Sequence, residues 1–214
     1  RGVVGVQSSI HNGSNSEHQP IIRGLAGNFG QQVKVLIDGI AINRIHHGGA
    51  PSLDIPLLGF KRVEIIRSAG SATYGADAFA GIINLVSNDE VTEQHNVVGV
   101  LGAFDETRLG VTGSAKRSDV EFLYTLQYNH YGDDPDRIIA ADLQTLLDSV
   151  FATNASRAPG RLDMSYEQAN LNLKANWQDL SLSYYGMSGS FGFGAGVAEV
   201  VDPEGEGHHH TQVF

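Results

Sequence analysis

Hydrophobic and polar positions alternate in two different ways along this chain, and the change falls near residues 88–96. Beyond it the alternation is long and has period two. Over 120–130, Val120, Phe122, Tyr124, Leu126 and Tyr128 share one face; Glu121, Thr125, Gln127 and Asn129 share the other, with Leu123 the exception. Over 167–177, Ala169, Leu171, Leu173, Ala175 and Trp177 stand against Gln168, Asn170, Asn172, Lys174 and Asn176. Residues 106–117 repeat the pattern less cleanly, and 180–188 most weakly. Successive side chains of a strand point to opposite faces, so each segment predicts a strand with one apolar face. The connections differ in length. Ser118-Asp119 and Gln178-Asp179 are tight turns, whereas 131–165 is long. Within it Leu143, Leu146, Leu147, Val150 and Phe151 recur at helical spacing, which predicts a short amphipathic helix over 141–152.

Before the change the apolar runs are short. Residues 33–38 (VKVLID) are apolar on both faces, which predicts a strand covered on both sides, and they end at the turn pair Asp38-Gly39. Residues 61–87 give a charged strand over 62–67, a small-residue turn over 68–72, Tyr74-Gly75, an Ala/Gly-rich stretch and an apolar strand over 82–86. Residues 3–10 predict a weak strand. Loops are expected at 11–19, 25–31 and 43–50, and Pro51 suits the start of one helical turn.

Strands of about nine to eleven residues with one apolar face, joined by short turns at one end and long loops at the other, describe a transmembrane β-barrel. Tyr128, Tyr131, Trp177, Tyr184 and Tyr185 lie near strand ends, where aromatic girdles sit. A soluble antiparallel sheet with one wet face gives the same alternation. Periodicity alone leaves both readings open.

Composition removes several function classes. Asp and Glu number 24 against 14 Lys and Arg, a net charge of -10, which argues against a nucleic-acid partner. The absence of Cys excludes a disulfide scaffold, a thiolate metal site and a Cys nucleophile. No apolar run is long enough for a membrane-spanning helix. The glycine-rich stretch 70–81 lacks a Gly-Lys-Ser/Thr ending and the dinucleotide spacing. No Gly-x-Ser-x-Gly elbow supports a hydrolase. His208-His209-His210 cannot converge on one ion from a regular strand; it reads as a solvated loop before a strand starting at Thr211. No enzyme, cofactor or resident metal is expected. Arg23, Glu64 and Arg67 stand beside buried-looking runs and need partners, whereas Arg62 reads as exposed. Both ends fall in mid-pattern, so a piece of a longer protein is expected.

Five segments carry a resemblance. Ile22-Arg23-Gly24, Val35-Leu36-Ile37-Asp38-Gly39, Val63-Glu64-Ile65-Ile66-Arg67, Ser71-Ala72-Thr73-Tyr74-Gly75 and Ala80-Gly81-Ile82-Ile83-Asn84-Leu85-Val86 are similar, in order, to the plug-domain motifs of TonB-dependent outer-membrane receptors. The long alternating strands resemble the start of that family's barrel. One departure is Ser68-Ala69, where the family has Gly-Pro.

The resemblance implies an α+β plug domain followed by antiparallel transmembrane β-barrel strands, an incomplete part of a plugged, 22-stranded barrel. It implies a plug over 1–89, truncated at its N-terminus, a linker over 90–96, and the first four to six barrel strands over 97–214 with a helix-containing loop at 131–165. The implied function is TonB-dependent import of a scarce nutrient, a ferric siderophore foremost, across the bacterial outer membrane. A signalling receptor of the same fold and a soluble envelope binding or enzyme module are the alternatives. The implied partners are TonB, through a segment before Arg1, outer-membrane lipid and a small-molecule or metal-chelate substrate; the barrel would be monomeric. Arg23, Glu64 and Arg67 would lock plug to barrel. Asn28, Arg44, His46 and His47 would face the substrate. Gly24, Asp38, Gly39, Gly70, Tyr74, Gly75 and Gly81 would form structural turns.

Overall fold

The computed structural model describes residues 3–10, 18–25, 31–44, 48–49, 55–67, 70–75, 78–192, 194, 200–202 and 204–214. The first half builds two small sheets. Strands β1 (Val6–Ile10) and β2 (His18–Ile22) form an antiparallel pair. Strands β3 (Val33–Ile37), β4 (Ile40–Ala41), β5 (Phe60–Ile66) and β6 (Gly81–Ser87) form a mixed sheet in the order β4-β3-β6-β5, with a helical turn, α1 (Ser71–Tyr74), before β6. β3 runs parallel to β6, and β5 antiparallel to it. Both central strands are covered on two faces, as apolar residues on both faces of 33–37 require. Ile22, Val33, Ala80 and Ile83 pack together, with Val6 and Ile65 beside them, and fasten the small pair to the mixed sheet.

The predicted turn residues have local causes. Asp38 and Gly39 both take positive φ, 48° and 84°, in the β3–β4 turn. The turn is pinned to β6: the Ser87 N–H donates to the Asp38 carboxylate at 2.8 Å and the Gly39 N–H to the Asn84 side-chain Oδ1 at 3.0 Å. Gly24 and Gly75 also take positive φ. Tyr74 ends α1, half-exposed, and Gly70 lies against Ile82.

The second half is one antiparallel wall. β7 (His95–Leu101), β8 (Thr107–Arg117), β9 (Val120–Tyr131), β12 (Tyr166–Trp177), β13 (Leu180–Gly192) and β14 (Glu206–Val213) each bond to the next. Between β9 and β12 the chain makes β10 (Ile138–Ile139), helix α2 (Leu143–Phe151) and β11 (Gly160–Arg161). Two-residue turns at 118–119 and 178–179 close one end. The connections 102–106, 132–165 and 193–205 lie at the other.

The faces of this wall decide between the two readings of the alternation. Thr125, Asn129, Gln168, Asn170 and Asn172 are buried, on the side that covers the first half of the chain. Leu126, Leu173, Trp177 and Leu182 point the other way and are 54%, 41%, 51% and 63% exposed. A sheet folded for water buries its apolar face; this one buries its polar face, as a lipid-facing wall around a polar lumen does. Register makes the outer face a stack of rows, from Tyr128 beside Leu109 down to Val120 beside Trp177. Eight residues of about 3.3 Å, tilted by about 40°, give about 20 Å of height, close to the about 25 Å apolar band of outer-membrane barrels. Above it the row His130, Glu167, Ser190, His208 is polar.

Three local differences from the sequence reading have simple causes. β2 begins at His18, inside the expected loop, because pairing with β1 extends it past the polar residues. β7 was not expected as a strand; its register with β8 organises Val97 to Leu101. The His208–His210 run is not a loop but the middle of β14, held by β13 from Gly192 to Tyr185. Its side chains therefore alternate, with His209 toward the lumen and His208 and His210 outward. The predicted helix is present as α2, with Asp142 as its N-cap and Ala152, φ 53°, as its C-cap.

Candidate functional site

The first half of the chain seats on the polar face of the wall, and the seat has an apolar centre. Val35, Ile37, Ile55 and Leu85 pack against Tyr185 and Met187 of β13, flanked by Ile42, Phe60 and Val213. Around it the contacts are close and polar. Asn172 Nδ2 donates to Ser87 Oγ at 3.4 Å. Gly59 lies so near the wall that an added Cβ would stand 3.0 Å from Thr125 Oγ1. The connection out of β6 is strapped down too: Ser114 Oγ accepts from the N–H groups of Thr92 and Glu93, at 2.9 and 3.1 Å, and Lys61 pairs with Asp89.

The charged residues expected to act as a lock are placed as follows. Glu64 accepts from Asn84 Nδ2 at 3.0 Å and from Arg62 Nε at 2.8 Å; these bonds, Asn84 first, hold its carboxyl below the ordinary 4.5. Arg62, read from sequence as merely exposed, is thus the ion-pair partner of Glu64. Arg67 donates to the Val4 carbonyl at 2.7 Å and ties β5 to the start of the chain. Arg23 is exposed, with φ 59°, and its N–H donates to the Gly5 carbonyl at 2.7 Å.

Of the expected substrate-facing residues, Asn28, His46 and His47 lie outside the described residues, as do Ser68 and Ala69. Arg44 is described and half-buried. Its loop is closed by two backbone bonds, Arg44 N–H to Gly49 O at 2.9 Å and Gly48 N–H to Arg44 O at 2.7 Å. Asn43 is a residue that sequence reasoning missed. Because β4 is only two residues long, its amide continues the ladder on β3, accepting from the Val35 N–H at 2.8 Å and donating to the Val33 and Gly48 carbonyls at 3.0 and 3.1 Å. An Asn following a short hairpin was the available signal.

The connection 132–165 above the wall is built, not slack. Asp142 caps α2 by accepting from the Thr145 N–H at 2.7 Å, and its other oxygen accepts from the Val201 N–H at 2.9 Å, joining two successive connections. Burial opposes its ionisation, but the Val201, Ser156 and Thr145 bonds outweigh that and hold the carboxyl below the ordinary 3.8. Asp148 accepts from the Thr153 hydroxyl, the Ser156 N–H and Gln144, and its carboxyl is lowered to about 2 from 3.8. A lowered carboxyl contributes stability above its unfolded value and loses it as pH falls through the folded one. Protease protection of 132–165 is therefore expected to hold from pH 7 to about 5 and to fall between about 4 and 2. Asp148→Asn should remove much of that pH dependence, and an unchanged profile would count against this role. Asp142→Ala should cost about 1 kcal/mol of local stability through the lost cap, read as faster cleavage at neutral pH.

Among the described residues no cluster of His, Asp or Glu is arranged to hold a metal ion. No helix is long and apolar enough to cross a membrane, which says nothing about the strands.

Comparison with known proteins agrees with this geometry. Residues 1–82 match the family model of the TonB-dependent receptor plug domain. The vitamin B12 transporter BtuB of Vibrio vulnificus is 34% identical over 116 residues, 54% of this chain and 18% of that protein. This chain thus spans less than a fifth of that relative's length. Two solved structures share the fold at low identity. The copper transporter OprC superposes with a TM-score of 0.61 at 16% identity, over 88% of this chain and 27% of its own. The ferric yersiniabactin uptake receptor FyuA of Yersinia pestis gives 0.58 at 18% identity, over 89% and 28%. Residues 1–82 thus belong to the TonB-dependent receptor plug family, and the six-stranded wall they seat on, apolar outward and polar inward, has the fold of the barrels in those receptors.

Proposed function

We propose that the whole protein imports a scarce nutrient through the outer membrane by TonB-dependent transport, and that its cargo is a ferric siderophore. One observation carries the import reading: the plug sits on the luminal face through Tyr185, Met187 and Thr125. A lumen closed by a packed domain must be opened by work, and TonB pulling on the plug supplies it. In this reading residues 1–89 are the plug, 90–96 the linker and 97–214 the wall, within a monomeric barrel. Arg23, Glu64 and Arg67 lock the plug, with carboxylates of further wall strands as partners for the two arginines. Arg44 and the loops holding Asn28, His46 and His47 face the cargo.

Cells carrying the full-length receptor should take up ferric siderophore under iron limitation and stop when the proton gradient is collapsed. Purification of the native protein from the periplasm without detergent would sink the reading. Cobalamin is the second reading, favoured by the resemblance to vitamin B12 transporters; growth that depends on cobalamin rather than on chelated iron would select it. Arg67→Ala should make the plug severalfold more sensitive to protease and lower uptake. If neither changes, Arg67 is no part of a lock.

A further inference from the structure

Helix α2 stands at the end of the wall opposite the tight turns, and its two sides are reversed. At about 3.6 residues per turn, Gln144, Thr145 and Asp148 share one side, and Leu143, Leu146, Leu147, Val150 and Phe151 the other. The polar side is the one turned onto the protein. Asp148 accepts from the Ala155 and Ser156 N–H groups at 2.9 and 2.8 Å and from the Thr153 hydroxyl at 2.6 Å. The Thr145 and Ser156 hydroxyls bond at 2.9 Å. All five apolar side chains are exposed, Val150 and Phe151 to 66% and 70%. A surface helix folded for water turns its apolar stripe to the core. Here the bonds from 153–156 hold the stripe outward.

Charge says what fits over this stripe. The connections 102–106, 132–165 and 193–205 carry eleven Asp and Glu against three Arg, with no Lys or His, a net charge of -8 within the chain's -10. Two of the three arginines are already taken up: Arg157 pairs with Asp202 and Glu204, and Arg161 with Asp133. A second copy of this surface would meet it with charge of the same sign. A membrane surface also fails to fit. Helices that lie in one carry Lys and Arg on the polar side; α2 has neither, and its polar side is spent on 153–156. A basic polypeptide with an apolar stripe matches both features, its stripe on α2 and its cations over the acidic connections. Long connections of outer-membrane barrels face the cell exterior, so such a partner approaches from outside.

We infer that α2 is a docking face for a cationic polypeptide, which lays an amphipathic helix along Leu143, Leu146, Leu147 and Val150. Docking there is independent of what the lumen transports. The test uses full-length receptor in nanodiscs of zwitterionic lipid, with empty nanodiscs as the blank. The probes are three synthetic helical peptides: one with Lys on its polar side and Leu on its apolar side, one with Glu in place of Lys, and one with Ser in place of Leu. The Lys/Leu peptide should bind at least tenfold more tightly than the other two and lose affinity as salt rises. Leu146→Gln with Val150→Gln should weaken it at least tenfold. Glu204→Gln removes an exposed carboxylate three residues from the Val201 N–H that Asp142 holds, and should weaken it severalfold. Heat-modifiable mobility and protease protection of 132–165 confirm that each variant is folded. Val150→Cys in a Cys-free receptor should react with a water-soluble maleimide. Equal binding to wild type and the double variant, or equal binding of the Glu/Leu peptide, overturns the proposal. So does a Val150→Cys that stays unlabelled, because other parts of the receptor then cover the face. A dimeric receptor that the double variant makes monomeric overturns it as well, by assigning the face to a second copy.

Discussion

Leu126→Arg in the full-length receptor is expected to deplete the protein from the outer membrane, while Ser183→Arg leaves its level near wild type. Leu126 points outward from the middle of β9 and is 54% exposed. Ser183 is also exposed, but sits on the luminal side of β13, in the row of Lys174 and Ser114. In water two exposed positions would tolerate Arg equally. In a bilayer an arginine near the midplane of a barrel costs about 2–4 kcal/mol, and one in the lumen costs little. Lys174 already shows that the luminal row accommodates a cation. Heat-modifiable barrel in the outer-membrane fraction measures the difference. Equal accumulation of the two variants would contradict the assignment of faces.

The second large effect is expected at Gly81. A Cβ there would stand 2.6 Å from the Ile66 carbonyl oxygen and 2.8 Å from Ile22 Cδ1. The first contact is backbone of the neighbouring strand β5, paired with β6 through Ile66 and Ile82, so a side chain cannot be accommodated by a rotamer change. Overpacking of a tight core costs about 1–3 kcal/mol and sometimes more, and here it falls where the plug's two sheets meet. Gly81→Val should cut uptake at least tenfold and, because a misfolded plug no longer closes the lumen, sensitise cells to antibiotics too large for the intact barrier. Gly70 is the control. Its hypothetical Cβ also comes within 2.6 Å of a neighbour, but that neighbour is the far end of the Ile82 side chain, which can move. Gly70→Ala should therefore be much milder. Normal uptake and normal resistance in Gly81→Val would show that the plug does not need this close approach.

The placement of the charged residues follows the same distinction between position and partner. Glu64 stands out in sequence as the one carboxylate of the charged strand 62–67, but nothing in the chain order says that its partners are Asn84, across the β5–β6 pair, and Arg62, two residues away on the same strand. Asn43 carries no sequence mark beyond being an Asn near a turn. Its role exists because β4 ends after two residues and leaves Val33 and Val35 with open backbone groups. The histidine run shows the converse: three polar residues in a Gly/Glu context read as a loop, and pairing with β13 made them a strand.

Local elements and family motifs were legible in the order of residues alone. Period-two alternation produced β8, β9, β12 and β13, helical spacing produced α2, and apolar residues on both faces of 33–37 produced a strand covered on two sides; in each case the cause is a local spacing of side chains. Alternation could not say which face was inside, because a lipid-facing wall and a water-facing sheet share one pattern. Packing answered it, by seating the plug on Tyr185, Met187 and Thr125 and so burying the polar side. Register likewise brought His209, Phe191 and the stacked Tyr131 and Tyr166 to adjacent luminal rows. Residues far apart in the chain become neighbours there through strand pairing and the seating of a domain, which a local pattern does not encode.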